Sequence, residues 1–266
     1  MSHSLDLGKT RFRALVDASV DTSQRLPLVH STDSYVLADV LSDGVVTPQY
    51  CNVFTGEALT YFFYGRPAFR PNLDAEPTGL RHYFPVCLLF KPNWTAKVRR
   101  VFPFDSGAFH RGFYRRYLQG KMKLGDFSLE ADMSTPGKIV SRFFGSSPAY
   151  LLGRPVVMPN IDQSEFEAHS YLALIHAKDS NDLDSRSSGI EVQTAEVIPI
   201  GDAVGAIVMP STFIDGQVGK ALRKLSIDIL PYRAFERFRP NEYTSTIAEL
   251  CLNYYVRLGL IDEGDL

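Results

Sequence analysis

The sequence predicts an α+β fold in which a mixed β-sheet core carries helices on its periphery, and three observations lead to that reading. Short runs rich in Val, Ile, Leu and aromatic residues recur between Leu28 and Met209. The first of them passes directly into a helical pattern. Two further amphipathic stretches close the chain.

Taken in order, the stretch 12–20 reads as a short helix and 28–30 as a strand. A helix follows whose N-cap is Thr32 or Asp33 and whose stop is Gly44, with Val36, Leu37, Val40 and Leu41 as its apolar stripe. Residues 60–64 are a β-rich aromatic run ended by Gly65-Arg66-Pro67. Residues 84–90 form a second strand beside Pro85 and Pro92, and 98–102 a third. Between Leu118 and Pro159, five glycines and four prolines break any long element, so short helices in irregular chain are expected. Residues 171–176, 190–199 and 203–209 read as further strands, and 178–189 as a polar loop delivering the chain to Glu191. Residues 220–230 and 244–258 read as outer helices. One domain spanning 1–266 is expected, with its core at about 28–209 and a helical extension at 220–266.

At 266 residues, with 45% hydrophobic and 22% charged residues, the chain can bury a sizeable core and is not of disordered composition. Cys51, Cys87 and Cys251 are odd in number and widely spaced, which reads as buried thiols in a reducing compartment. No secretory signal pattern or apolar run of membrane-spanning length is present, so a cytoplasmic protein without a membrane partner is expected. The net charge is only -2, but it is unevenly spread. Residues 97–123 hold eight Lys/Arg against Asp105 alone, and residues 160–202 hold nine Asp/Glu against Lys178 and Arg186. Standard metal, nucleotide-loop and hydrolase signatures are absent; Gly216-Gln-Val-Gly-Lys220 has the wrong spacing for a phosphate loop.

Three separated segments place polar or aromatic groups inside apolar runs, where burial without a partner or ligand is costly. They are Leu28-Val-His-Ser-Thr32, Tyr61-Phe-Phe-Tyr-Gly-Arg-Pro67 and Ile190-Glu-Val-Gln193. His30 ends a strand just before a helix N-terminus. It is either a structural hydrogen-bonding residue with Thr32 as a cap, or it and Ser31 face a ribose or pyrophosphate. Tyr61 and Tyr64 point to opposite faces of a strand, and Tyr64, beside the permissive Gly65, is favoured for a cleft, with Arg66 supplying charge for a phosphate. Glu191 shares a face with Gln193 and can stabilise positive charge developing on a sugar carbon; Glu196 is the competing carboxylate. In the basic window Arg99, Arg100, Arg111, Arg115 and Arg116 lie among Phe102, Phe104, Phe109, Phe113, Tyr114 and Tyr117. That mixture suits single-stranded nucleic acid, or is a solvated face whose rings belong to the core. Asp105 reads most simply as a turn residue in Asp-Ser-Gly.

In this order the three segments resemble the His-Tyr-Glu branch of the ADP-ribosyltransferase superfamily. The run from Tyr61 to Phe69 is similar to the aromatic strand followed by Arg and Pro in DNA-modifying toxins of that superfamily. The segment from Phe102 to Phe109 resembles one in related bacterial anti-phage toxins. The resemblance implies a split mixed β-sheet and cleavage of the nicotinamide–ribose bond of NAD, here a substrate, with no metal. ADP-ribose would pass to RNA, DNA or protein. By the same resemblance His30 would contact the adenosine-side ribose, Tyr64 would stack on nicotinamide, and Glu191 would hold the nicotinamide ribose and assist transfer. Ser31, Thr32, Tyr61, Arg66 and Gln193 would complete the NAD site. Gln193 stands where arginine-modifying members carry a second Glu, which argues against arginine as acceptor. Nucleic acid is the favoured acceptor, and a toxin of this kind would be restrained by an antitoxin protein. The alternatives are an NAD glycohydrolase using the same cleft and a non-catalytic nucleic-acid- or protein-binding module on the same fold.

Overall fold

The computed structural model describes residues 9–68, 80–156, 160–177, 185–235 and 237–266. Helix α1 (Arg11–Asp17) is followed by strand β1 (Leu28–Asp33) and helix α2 (Ser34–Asp43). Asp33, not Thr32, caps α2 by accepting the Val36 N–H at 2.9 Å, and Gly44 ends the helix in the left-handed region. Short strands β2 (Val45–Val46) and β3 (Gln49–Tyr50) precede β4 (Ala58–Tyr64) and β5 (Pro85–Phe90). Strand β6 (Arg100–Phe102) runs into helix α3 (Ser106–His110), and α4 (Thr135–Phe143), α5 (Ser147–Leu151) and α6 (Phe166–His176) occupy the middle of the chain. The second half supplies β7 (Glu191–Thr194), β8 (Ile198–Pro199), α7 (Ile200–Ala203), β9 (Val204–Pro210), α8 (Gln217–Lys224), β10 (Asp228–Tyr232) and α9 (Thr244–Arg257).

The fold is mixed α+β, as expected. Its main sheet runs in the order β10-β9-β5-β1-β4-β7-β6, with β3 added on β4, while β2 and β8 form a separate pair. All pairings are antiparallel except β10 on β9. Strand β5 is buried along its whole length, as a central apolar strand should be. On one side the rings of Phe12, Phe104, Phe127, Phe143 and Tyr171 pack together, tying α1, α4 and α6 to the loop after β6. Elsewhere Phe62 and Phe90 pack with Trp94.

Three expectations are corrected. Residues 171–176 are the second half of helix α6, not a strand: Ala168, Tyr171, Leu174 and Ile175 are buried at helical spacing, and starting the window at Tyr171 hides that period. The predicted helix over 220–230 is α8 followed by a strand. Ser226 adopts φ 56°, and the Ile227 N–H bonds back to the Leu222 carbonyl at 3.1 Å, a helix stop built without glycine. The chain then enters β10, so the sheet extends to Tyr232 and the C-terminal region is not purely helical. Finally, 190–199 is two strands separated by exposed Ala195, Glu196 and Val197. Of the expected loop at 178–189, residues 178–184 lie outside the described residues, as do Phe69 and Pro159; Ser185–Ser187 is a short 3-10 turn.

Two small residues shape the ends of strands. Pro231 sits in the outermost strand, where its missing N–H costs no ladder bond. Gly65 has φ 66°, and a Cβ there would lie 2.5 Å from Leu26 Cδ1 and 3.3 Å from Leu151 Cδ2. Gly65→Ala is therefore expected to destabilise the fold by about 1–3 kcal/mol through backbone strain and overlap. Thermal denaturation checks this, and an unchanged melting temperature would contradict the turn geometry.

Candidate active site

The cleft begins where two strands part. Strand β1 stays paired with β5 from Val29 to Asp33, but with β4 only at Leu28 and Val29. Beyond Val29 the gap is bridged by a side chain: His30 Nδ1 lies 2.8 Å from the Tyr61 carbonyl oxygen. A carbonyl can only accept, so Nδ1 carries the proton and Nε2 holds the lone pair. Burial lowers the His30 pKa and keeps the ring neutral. The parted strands open into a cleft of about 410 Å³, within the range of small-molecule sites. His30, Ser31, Tyr61 and Glu191 line it, together with Asp105 and Arg186.

Glu191 begins β7, opposite Phe63 of β4 and Phe102 of β6. That central register buries it to 1% exposure. Three neutral donors hold the carboxylate: the Ser106 N–H reaches Oε2 at 3.0 Å, while the Ser106 hydroxyl and Gln193 Nε2 reach Oε1 at 2.7 and 2.6 Å. Ser106 can do this because the chain turns back after β6, with Asp105 capping α3 through the Ala108 N–H at 2.8 Å. Burial, reinforced by the charge of Asp105, pushes the Glu191 carboxyl up to about 8. Its rival Glu196 is exposed and accepts the Lys97 N–H at 3.0 Å, outside the cleft.

The two tyrosines exchange the places expected for them. Tyr64 is buried beneath the sheet, its hydroxyl accepting the Leu26 N–H at 2.9 Å and its ring beside Tyr150. Tyr61, on the Glu191 face by register, lines the cleft, and its hydroxyl meets Cys51 Sγ. That sulfur also accepts the N–H groups of Val53 and Phe54, and the surroundings raise the Tyr61 pKa, chiefly through burial. Gly65 turns the chain away, so Arg66 leaves the cleft: it bonds Ser188 Oγ at 2.6 Å, lies over the Tyr150 ring and lines a separate cavity of about 370 Å³. Thr32 pairs with Val86 and does not line the cleft, and Gln193 sits behind Glu191 as its support, fully buried.

The basic window divides. Arg100 is buried against Glu57 at 2.6 Å and over the Phe54 ring, and Arg99 pairs with the same carboxylate at 3.1 Å, so these two are structural. Arg100 holds the Glu57 carboxyl down at about 2. Phe102, Phe104 and Tyr114 belong to the core. Arg111 reaches the cleft lip with His110, and Arg115, Arg116 and Phe113 are exposed beside it. Sequence reasoning misses Cys51 and Arg186 as cleft residues and Ser106 as the support of Glu191, and takes Asp105 for a turn; a capping Asp-Ser pair directly after a buried strand is the signal that could have found Asp105 and Ser106.

Among the described residues no group of His, Cys, Asp and Glu is placed to hold a metal ion, and no helix is long and apolar enough to cross a membrane. Compared with protein-family models, curated proteins and solved structures, the chain matches none.

The folded state holds a proton on Glu191 that the unfolded chain, whose carboxyl titrates near 4.5, gives up. Folding stability therefore falls as pH rises from about 4.5 through about 8. Glu191→Gln is expected to flatten that decline in urea titrations run across the same interval, and parallel curves for the two proteins would contradict the buried, protonated carboxyl.

Proposed function

We propose that this protein is an ADP-ribosyltransferase that cleaves the nicotinamide–ribose bond of NAD and passes ADP-ribose to a nucleic-acid acceptor, RNA or DNA. The observation that carries the reading is Glu191, a carboxyl group oriented by Ser106 and Gln193 in a cleft that His30 also lines. In its ionised form Glu191 lowers the energy of a sugar carbon that becomes cationic as the glycosidic bond opens. His30 Nε2 can accept from a ribose hydroxyl on the adenosine side, with Ser31 beside it. Tyr61, not Tyr64, is the ring available to nicotinamide. The cationic lip formed by Arg111, Arg115 and Arg116, with Phe113 exposed among them, favours a polyanion with unstacked bases as acceptor. Such an activity in a cell's own cytoplasm calls for restraint, which fits a toxin or phage-defence effector held by an antitoxin protein.

Incubation with labelled NAD and separate RNA, DNA and protein pools tests this. Label is expected on a nucleic acid; free ADP-ribose alone would indicate a glycohydrolase, and intact NAD would end the proposal. Glu191→Gln should lower transfer by roughly 10²–10³-fold, as loss of one transition-state charge does. Glu196→Gln and Tyr64→Phe should leave the rate of the folded protein near that of wild type. Because the ionised form of Glu191 is the active one, kcat/KM for NAD is expected to rise with pH and level off above about 8.

Changing Arg115 and Arg116 to Glu should weaken RNA binding and reduce its salt slope by about one for each phosphate that the protein no longer neutralises. An unaltered slope would remove this surface from the acceptor site.

A further inference from the structure

We propose that Asp105 is a second catalytic carboxylate of the cleft, the group that takes the proton from the incoming nucleophile; the assignment rests on the transferase reading above. Asp105 lines the same cleft as Glu191, from the turn between β6 and α3. Its Oδ1 accepts the Ala108 N–H, and its Oδ2 lies 3.5 Å from Nη1 of Arg186, itself only 5% exposed. A helix cap explains the first of these interactions alone. Asn or Ser would cap as well, without setting a second negative charge near Glu191 and opposite Arg186, a buried guanidinium that also lies over the Phe113 ring. The charge thus stands where a neutral side chain would serve the fold.

The two carboxylates also stand in different surroundings. Both oxygens of Glu191 are occupied by neutral donors, which suits a group held in one orientation to stabilise charge once it is ionised. Asp105 Oδ2 lies 3.5 Å from the Arg186 guanidinium, and the residue lines the cleft together with His110 and Arg111, the end of the basic stretch proposed to meet the acceptor. Pairs of acids held in contrasting environments divide such roles between them. In the step proposed, the bond from the ribose anomeric carbon to the pyridinium nitrogen breaks, its electron pair leaving with neutral nicotinamide. The acceptor O–H or N–H forms the new bond to that carbon, its proton passes to Asp105 Oδ2, and from there to water.

Asp105→Asn tests the assignment, because Asn caps a helix as well as Asp does. With labelled NAD and the acceptor pool that wild type labels, kcat is expected to fall about 10²-fold with KM for NAD little changed. The deficit should narrow as pH is raised from about 6 to about 9, as hydroxide replaces the missing base. The titratable and charged groups that share the cleft with Asp105 are Glu191, Arg186, His110, Arg111, His30, Tyr50, Cys51 and Tyr61. Of these, Glu191 is directly relieved by removing the Asp105 charge, which by itself favours its ionised form and raises the neutral-pH rate. A loss of rate therefore runs against that effect. Asp105→Ser, a second neutral cap, should behave like Asp105→Asn. Transfer by both at the wild-type rate, or a deficit equal at every pH, would overturn the role of Asp105 while leaving the transferase reading intact. Wild-type protein that leaves NAD untouched would sink both.

Discussion

The architecture of the cleft depends on the early end of one strand pairing. If β1 and β4 kept their ladder past Val29, the backbone groups around His30 and Tyr61 would be consumed in sheet and no opening would exist. Because β1 continues with β5 while β4 continues with β7, the two halves of the sheet lean apart around a shared root. The imidazole of His30 takes over the Tyr61 carbonyl, so the split leaves no buried acceptor orphaned at its apex. One side chain thus supports the gap and offers its second nitrogen to whatever enters.

The electrostatics follow from where that gap lies. Glu191 is reached from the cleft yet belongs to a strand flanked on both sides, so it is solvated by protein dipoles and not by water. Three donors suffice to orient it but leave it basic, and Asp105 with its arginine supplies a contrasting site a short way up the wall. Fixed dipoles of this kind need no reorganisation when charge appears, which is where a preorganised site gains over water.

Much of this is legible in the sequence because the relevant patterns are local. The β1–α2 unit announces itself through a cap, a stripe and Gly44, and a glutamate between Ile190 and Val192 is conspicuous in any apolar run. What is not legible depends on register or on partners distant in the chain. Alternation says that Tyr61 and Tyr64 face opposite ways, but only the pairing of Tyr61 with Gln193 says which way is inward. Gly65 suggests room for a ligand near Tyr64, whereas its positive φ carries Arg66 off to Ser188. Ser226 closes a helix in a conformation usually left to glycine, so β10 gives no warning. The basic window looks uniform along the chain, although Glu57, far away in sequence, claims two of its arginines.

The outer edge of the main sheet closes with Pro231, a residue that offers no hydrogen to a neighbouring backbone. A neighbouring backbone meeting that rim finds one donor fewer, which weakens strand-to-strand pairing along β10.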